Sequence, residues 1–421
     1  MNWSKTLGPG ILFASTAIGV SHLVQSTRAG ANYGFALLGI VVMANLFKYP
    51  FFEFASRYAC ATGESIIDGY KKLGKWVLWI YFIVTVCSMF FVMGAVGVVT
   101  VGFLDNLLGL TALWPEFKLF PTLLLFVVCC MILILGKFSV LDNLIKIIGL
   151  VLVSSTLVAF VLTVIHGAAP RVEGFVPPAL FDEAGILFII ALMGWMPTAL
   201  DLSSWNSLWT VEKIKTSGYH PTLRETLFEF NLGYWIAGGL SICFVTMGAF
   251  LIYGTGVTMP SSSAAFASQV VELYTRTIGD WSYLIISASA FSIMFGTSIA
   301  IFDGYARSIE RTSELIFLSE SEAALALNSN KAYNISLLVL AIGAFILIAL
   351  FLKHFKILVD LAMTISFLIA PFIAIANYLL VTERYIPKES TPKLWLKILS
   401  LLGFLFLTGF AIFFVYVKLI G

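Results

Sequence analysis

Ser21 and His22 stand within an apolar stretch, Gly8 to Ala31, that is long enough to cross a membrane. An imidazole there can bind a transition metal or carry a proton, or it can hydrogen-bond to a backbone carbonyl left free at a helix break. Every backbone polar group in lipid needs a partner, so a weak helix at Gly19 is expected only where the chain lines a cavity. The segment Gly19–His22 therefore predicts half of a binding site, to which Gly19 and Ser21 contribute backbone and space.

A second apolar stretch, Gly185 to Thr210, carries Gly194 and Pro197 at its centre. Proline removes a helix hydrogen bond and clashes with the preceding turn, so a second break is expected here. Met196 is a soft ligand that selects transition metals, or it is a side chain that fills the kink. Asp201 follows the break. Its carboxylate is either part of the site or a cap at a helix start.

Other ionisable residues lie within predicted spans. Lys48 falls near mid-membrane, where a fixed or titrating ammonium can replace a coupling cation or enter an internal ion pair. Glu53 and Arg57 are four residues apart on one helix face, and so are Asp303 and Arg307. Both spacings predict ion pairs. For Glu53 and Asp303, coupling or gating is the functional alternative.

Composition excludes a soluble globular protein. The chain has 421 residues, of which 60% are hydrophobic and only 11% are charged, whereas soluble domains carry about 25% charge. The net charge of +2 gives no indication of nucleic-acid binding. We expect an all-α membrane protein with about eleven transmembrane helices, at roughly 8–30, 34–59, 75–104, 119–136, 140–166, 184–210, 225–254, 280–309, 333–352, 356–381 and 394–418.

The loops predict the orientation of these helices. Lysine and arginine are more frequent in the loops on the same side as the N-terminus, which indicates a cytoplasmic N-terminus. The first apolar stretch lacks a small-residue cleavage pattern, so no cleavable signal peptide is expected. We predict a multi-pass protein of the plasma (inner) membrane, with the lipid bilayer as its surroundings. The sequence does not define an oligomeric state.

The two breaks lie five helices apart, a pattern that points to a binding site between two inverted repeats. The predicted repeats are residues 1–166, with helices one to five, and residues 184–382, with helices six to ten. Residues 394–418 would form an extra eleventh helix.

Several short motifs resemble the Nramp family of divalent-metal transporters. They are Gly8-Pro9-Gly10, the turn from Ala29 to Phe35, Ala44-Asn45-Leu46 and Met196-Pro197. The resemblance implies a leucine-transporter-type fold with a 5+5 inverted repeat and broken helices 1 and 6. It also implies alternating access, with the substrate held between those two helices.

The chain departs from this family at the metal motifs. Gly19-Val20-Ser21-His22 stands where the family has Asp-Pro-Gly-Asn, and Thr198 stands where it has a histidine. Only Met196 matches a family metal ligand. A glycine in place of the aspartate is expected to enlarge the site and remove charge, which suits a larger or less strongly coordinated substrate.

The leading hypothesis is a secondary-active transporter of a small cation, for which divalent metal is the family default. His22, Met196 and Asp201 are the tentative metal ligands, with carbonyls near Gly19 and Met193, and Thr198 also lines the site. The alternatives are a transporter of an amino acid or organic amine, and a membrane sensor or scaffold that does not transport. The sequence shows neither a hydrolase or redox set of catalytic residues nor a nucleotide-binding loop. No cofactor is expected apart from a transported divalent cation.

Overall fold

The computed structural model describes residues 8–135, 138–260, 262–318, 331–351 and 354–420. Every regular element in these residues is helical. The α-helices are α1 Pro9–Ala17, α2 Thr27–Tyr33, α3 Leu38–Thr62, α4 Ile66–Leu73, α5 Lys75–Leu108, α6 Leu110–Leu113, α7 Phe120–Leu135, α8 Phe138–His166, α9 Glu183–Gly194, α10 Ser203–Ser217, α11 Leu223–Leu251, α12 Ser263–Ile278, α13 Tyr283–Phe317, α14 Lys331–Leu350, α15 Phe355–Leu380 and α16 Leu394–Ile420.

Long apolar helices dominate the described part of the chain. Seven of them are long and apolar enough to cross a membrane, and α7, α9 and part of α8 form shorter apolar helices. Each of the eleven predicted stretches coincides with helix, which confirms an all-α membrane architecture; the predicted ends at 136 and 352 lie outside the described residues. The division into repeats 1–166 and 184–382 with an extra helix at 394–418 stays a prediction. Residues 1–7 of the first repeat lie outside the described residues.

The first break lies slightly earlier than predicted. Helix α1 ends at Ala17, and Ile18 leaves helical geometry with a ψ of 73°. The chain then forms a π-helical turn, Ser21–Ser26, which continues directly into α2. Ser21 and His22 therefore lie on the turn that follows the break, and their side chains are aimed by π-helical rather than α-helical geometry.

The second break matches the predicted position. Helix α9 ends at Gly194, the Met196–Pro197 peptide bond is cis, and a 3₁₀ turn at Leu200–Leu202 leads into α10. A Cβ atom on Gly194 would lie 2.0 Å from the carbonyl oxygen of Met363 in α15. Glycine thus lets the end of α9 press directly on the backbone of α15.

The start of α1 is held by a residue far away in sequence. One carboxylate oxygen of Glu229, in α11, accepts hydrogen bonds of 2.7 Å from the backbone N–H groups of both Gly8 and Gly10. Helix N-termini carry unpaired N–H groups and a partial positive charge, so a buried carboxylate is a suitable partner. A Cβ atom on Gly233 would lie 2.1 Å from the carbonyl oxygen of Gly10, so the two backbones touch.

Gly194→Ala should destabilise the protein by about 1–3 kcal/mol, because the added methyl group overlaps backbone that cannot rotate away. The measurement is the thermal unfolding midpoint of purified protein in detergent. Gly239→Ala in α11 is the matched control, since a Cβ atom there meets nothing within 4 Å. Equal midpoints for the two variants would contradict the close packing of α9 on α15.

Glu229→Ala should lower the free energy of unfolding by about 2 kcal/mol or more, because it leaves two buried N–H groups without their acceptor. Glu229→Gln keeps an acceptor oxygen on the same stem and should lose less. Denaturant titration of both variants measures the difference. An alanine variant as stable as the glutamine variant would show that the carboxylate does not hold α1.

Candidate functional site

The two breaks meet inside the helix bundle. The hydroxyl oxygen of Ser21 lies 2.7 Å from the carbonyl oxygen of Ala17 and 3.1 Å from that of Pro197. Both carbonyls belong to broken segments, one in each broken span. Ser21 therefore connects the break that follows α1 with the break that follows α9.

His22 is fully buried and both of its ring nitrogens have partners. Nδ1 lies 2.8 Å from the Ser21 hydroxyl, and Nε2 lies 2.8 Å from the carbonyl oxygen of Ala237 in α11. A carbonyl only accepts hydrogen bonds, so the geometry assigns a proton to Nε2, while Nδ1 shares the single Ser21 hydroxyl proton with the carbonyls of Ala17 and Pro197 as competing acceptors. The carbonyl that binds the ring comes from an intact helix and not from the break.

Lys48, from α3, reaches into the second break. Its ammonium donates to the carbonyl oxygens at the end of α9, at 2.6 Å from Met193 and 2.7 Å from Gly194. A third bond of 3.1 Å goes to the carbonyl of Thr198. Within the described ranges no carboxylate lies within 4 Å of this fully buried ammonium. The predicted ion pair for Lys48 is therefore wrong, because carbonyls take the place of a carboxylate.

Asp201 lies in the 3₁₀ turn after the second break and is 4% exposed. Its Oδ1 atom has no hydrogen-bond partner among the described groups, and no side chain caps the start of α10. Lys48 acts on this carboxylate electrostatically from beyond ion-pairing distance. Asp201 thus leaves one acceptor oxygen available after the second break, and its charge at the start of the helical segment keeps the helix-start alternative open.

Gly19 does not enlarge the site, contrary to expectation. A Cβ atom at Gly19 would lie 2.9 Å from the Cγ2 atom of Thr297 in α13. The Thr297 hydroxyl donates a 2.9 Å hydrogen bond to the carbonyl of Ser15, which the break leaves without its usual helical donor. Thr297 fills the space that a larger residue at 19 would need, so there is no room for a bulkier substrate here.

The remaining predicted residues of the second break are also buried. The side chains of Met193 and Met196 have no exposed surface, and Thr198 is 6% exposed. Within the described residues no group of three His, Cys, Asp or Glu could hold a metal ion. The predicted ligands Met196, Asp201 and His22 are all buried, and both ring nitrogens of His22 are engaged by other groups.

Glu53 and Asp303 form the ion pairs that their spacing predicts. Glu53 binds Arg57 with bonds of 2.5 and 2.9 Å. Asp303 binds Arg307 at 2.9 Å and accepts further bonds from the Trp209 indole and the Tyr333 hydroxyl. These contacts account for both carboxylates structurally, and a gating role for either stays a prediction.

A polar network between α2 and α15 was not predicted. Arg28 donates to both carboxylate oxygens of Asp360, at 2.8 and 3.2 Å, and Gln25 donates to the same group at 2.8 Å. An arginine and a glutamine three residues apart in an apolar stretch were the available sequence signal. Their partner lies more than 300 residues away, so pairing could not be read from local spacing.

Comparison with known sequences places the chain in a family. A sequence profile described as natural resistance-associated macrophage protein-like, or Nramp, matches residues 10–417. An uncharacterized protein of Pasteurella multocida is 35% identical over 416 residues, which cover 97% of this chain and 91% of the relative.

Solved structures show the same fold. A mutant of the manganese transporter of Eremococcus coleocola superposes with a TM-score of 0.67 at 16% identity, covering 96% of this chain and 84% of that one. The nucleobase-cation-symport-1 family transporter Mhp1 superposes with a TM-score of 0.58 at 11% identity, covering 98% and 93%. The chain therefore belongs to the Nramp family and has the leucine-transporter-type fold with broken first and sixth spans.

Proposed function

We propose that this chain is a secondary-active transporter that moves a small cation across the membrane by alternating access. The observation that carries the proposal is the meeting of two helix breaks in the bundle interior, where Ser21 touches the carbonyl of Pro197. Irregular backbone at membrane depth persists where it is buried in protein or lines a water-filled cavity, and transporters with broken helices bind their substrates near such breaks. Family membership supports the same reading.

Divalent metal is the first candidate cargo, since the similar Eremococcus protein is described as a manganese transporter. In this chain Met196 would contribute a soft sulfur ligand and Asp201 the oxygen that has no described partner. His22 could join them only by giving up its bond to Ala237 or to Ser21. This set of ligands therefore carries one negative charge fewer than a site with an aspartate at position 19.

An organic amine or amino acid is the second candidate cargo. The specific observation that favours it is Lys48, whose primary ammonium is bonded to three carbonyls of the second break. Backbone oxygens in this arrangement accept N–H donors, and the N-terminus of α10 can attract a carboxylate. A substrate amine would bind acceptors of this kind only in place of the Lys48 ammonium.

We also propose a plasma (inner) membrane location with a cytoplasmic N-terminus, on the basis of the lysine and arginine distribution among the loops. Inward movement of a cation along the membrane potential is compatible with that orientation. A coupled proton would make the protein a symporter.

Titration of purified protein with Mn²⁺, Mg²⁺ and a panel of amino acids and primary amines should separate the two cargoes. For metal cargo we expect Mn²⁺ to bind, Mg²⁺ not to bind because a thioether favours softer ions, and His22→Ala and Met196→Ala each to weaken Mn²⁺ binding by about tenfold or more. Isothermal calorimetry measures the affinities. Met89→Ala, a buried methionine of α5 away from the breaks, is the matched control.

Unchanged Mn²⁺ affinity in both site variants, or no metal binding at all, would reject the metal cargo. Binding of an amine or amino acid in that case would establish the second candidate.

Proteoliposomes should take up the bound cargo, and Asp201→Asn should lower the uptake rate by about tenfold or more, because it removes the available charged oxygen. Asp280→Asn, at an exposed position in the turn before α13, should leave the rate unchanged. A pH dye inside the vesicles reports coupling, since proton symport acidifies the lumen. Binding without any uptake would instead support a sensor or scaffold.

A further inference from the structure

We infer that the carbonyl oxygens of Met193, Gly194 and Thr198 form a site for a monovalent cation, and that the Lys48 ammonium occupies it from within the chain. The inference goes beyond transport, because it concerns what neutralises the second break whether or not any solute is bound. It names Lys48 as a built-in cation that stands where a free ion would otherwise bind.

The hydrogen bonds of the ammonium support this assignment. A lysine ammonium has three N–H donors, and the three carbonyl oxygens lie 2.6, 2.7 and 3.1 Å from Nζ. The side chain is fully buried, so the carbonyls provide the coordination that water would otherwise give. A bare monovalent ion is held by oxygens in the same way.

The position of these oxygens explains why they need a cation. Met193 and Gly194 are the last residues of α9, where carbonyls lack helical partners and the helix dipole places partial negative charge. Thr198 lies in the non-helical link before the 3₁₀ turn. Half-helix C-termini and unwound carbonyls are the groups that coordinate Na⁺ in transporters with broken helices.

Lys48 differs from three other buried or partly buried cationic side chains, Arg28, Arg57 and Arg307. Arg28, Arg57 and Arg307 each bind a carboxylate directly, at 2.8, 2.5 and 2.9 Å. For Lys48 the described bonds go to backbone oxygens alone. A lysine that only joined two helices could do so through a single carboxylate or carbonyl. Here three carbonyls of one break converge on the same nitrogen.

The assignment predicts that removal of Lys48 creates a demand for an added cation. Replacement of Na⁺ by the bulky cation choline should leave the thermal midpoint of the wild-type protein unchanged. Lys48→Ala should unfold at a lower temperature in choline than in Na⁺. Added n-propylammonium, which matches the missing part of the side chain, should raise its midpoint by about 2 °C or more in a saturable manner.

Three controls isolate the charge and the site. n-Propanol has the same length without the charge and should not restore Lys48→Ala. Lys48→Met fills the space without a cation and should be destabilised with no response to n-propylammonium. Lys356→Ala removes a lysine that, among the described groups, donates to the carbonyl of Met259, and it should show no cation response.

A second variant keeps the test decisive if Lys48→Ala does not fold. Lys48→Gln retains a side chain that reaches the break and offers an amide oxygen as a fourth ligand, so its midpoint should rise in Na⁺ relative to choline. The inference is overturned if Lys48→Met is as stable as the wild type. It is also overturned if neither Lys48→Ala nor Lys48→Gln responds to its cation more than the wild type does.

Discussion

The contact between the Lys48 ammonium and the carbonyls of the second break is the interaction on which the centre of this protein depends. A helix that stops inside the membrane leaves carbonyl oxygens without partners, and this costs several kcal/mol for each group in lipid. Lys48 satisfies three of them at once and brings α3 against the end of α9. The Lys48 ammonium thus gives these carbonyls of the second break partners from within the chain.

The first break is satisfied by different means. Hydroxyl groups replace the ammonium: Thr297 donates to the carbonyl of Ser15, and Ser21 lies against the carbonyl of Ala17. The side chains that bind the first break are hydroxyl groups. The second break is bound by the Lys48 ammonium, and Asp201 follows it in the chain. The asymmetry gives the two halves of the site different chemistry, although the same kind of backbone interruption creates both.

Sequence reasoning predicted the helices, both breaks and the Glu53–Arg57 and Asp303–Arg307 pairs, because hydrophobic length, proline and four-residue spacing are local signals. It could not find the partners of Lys48, which lie about 145 to 150 residues away and are backbone atoms. Gly19 was misread for a related reason. A missing side chain suggests space, but only packing shows that Thr297 occupies it.

The Glu229 carboxylate has a mechanical consequence for the first half-helix. It grips the leading end of α1, and Gly10 and Gly233 allow the two backbones to touch along the same seam. The break at Ile18 separates α1 from the π-helical turn that leads into α2. Helix α11 therefore supports both sides of the first break: Glu229 and Gly233 hold α1, and Ala237 accepts the bond from His22 beyond the break.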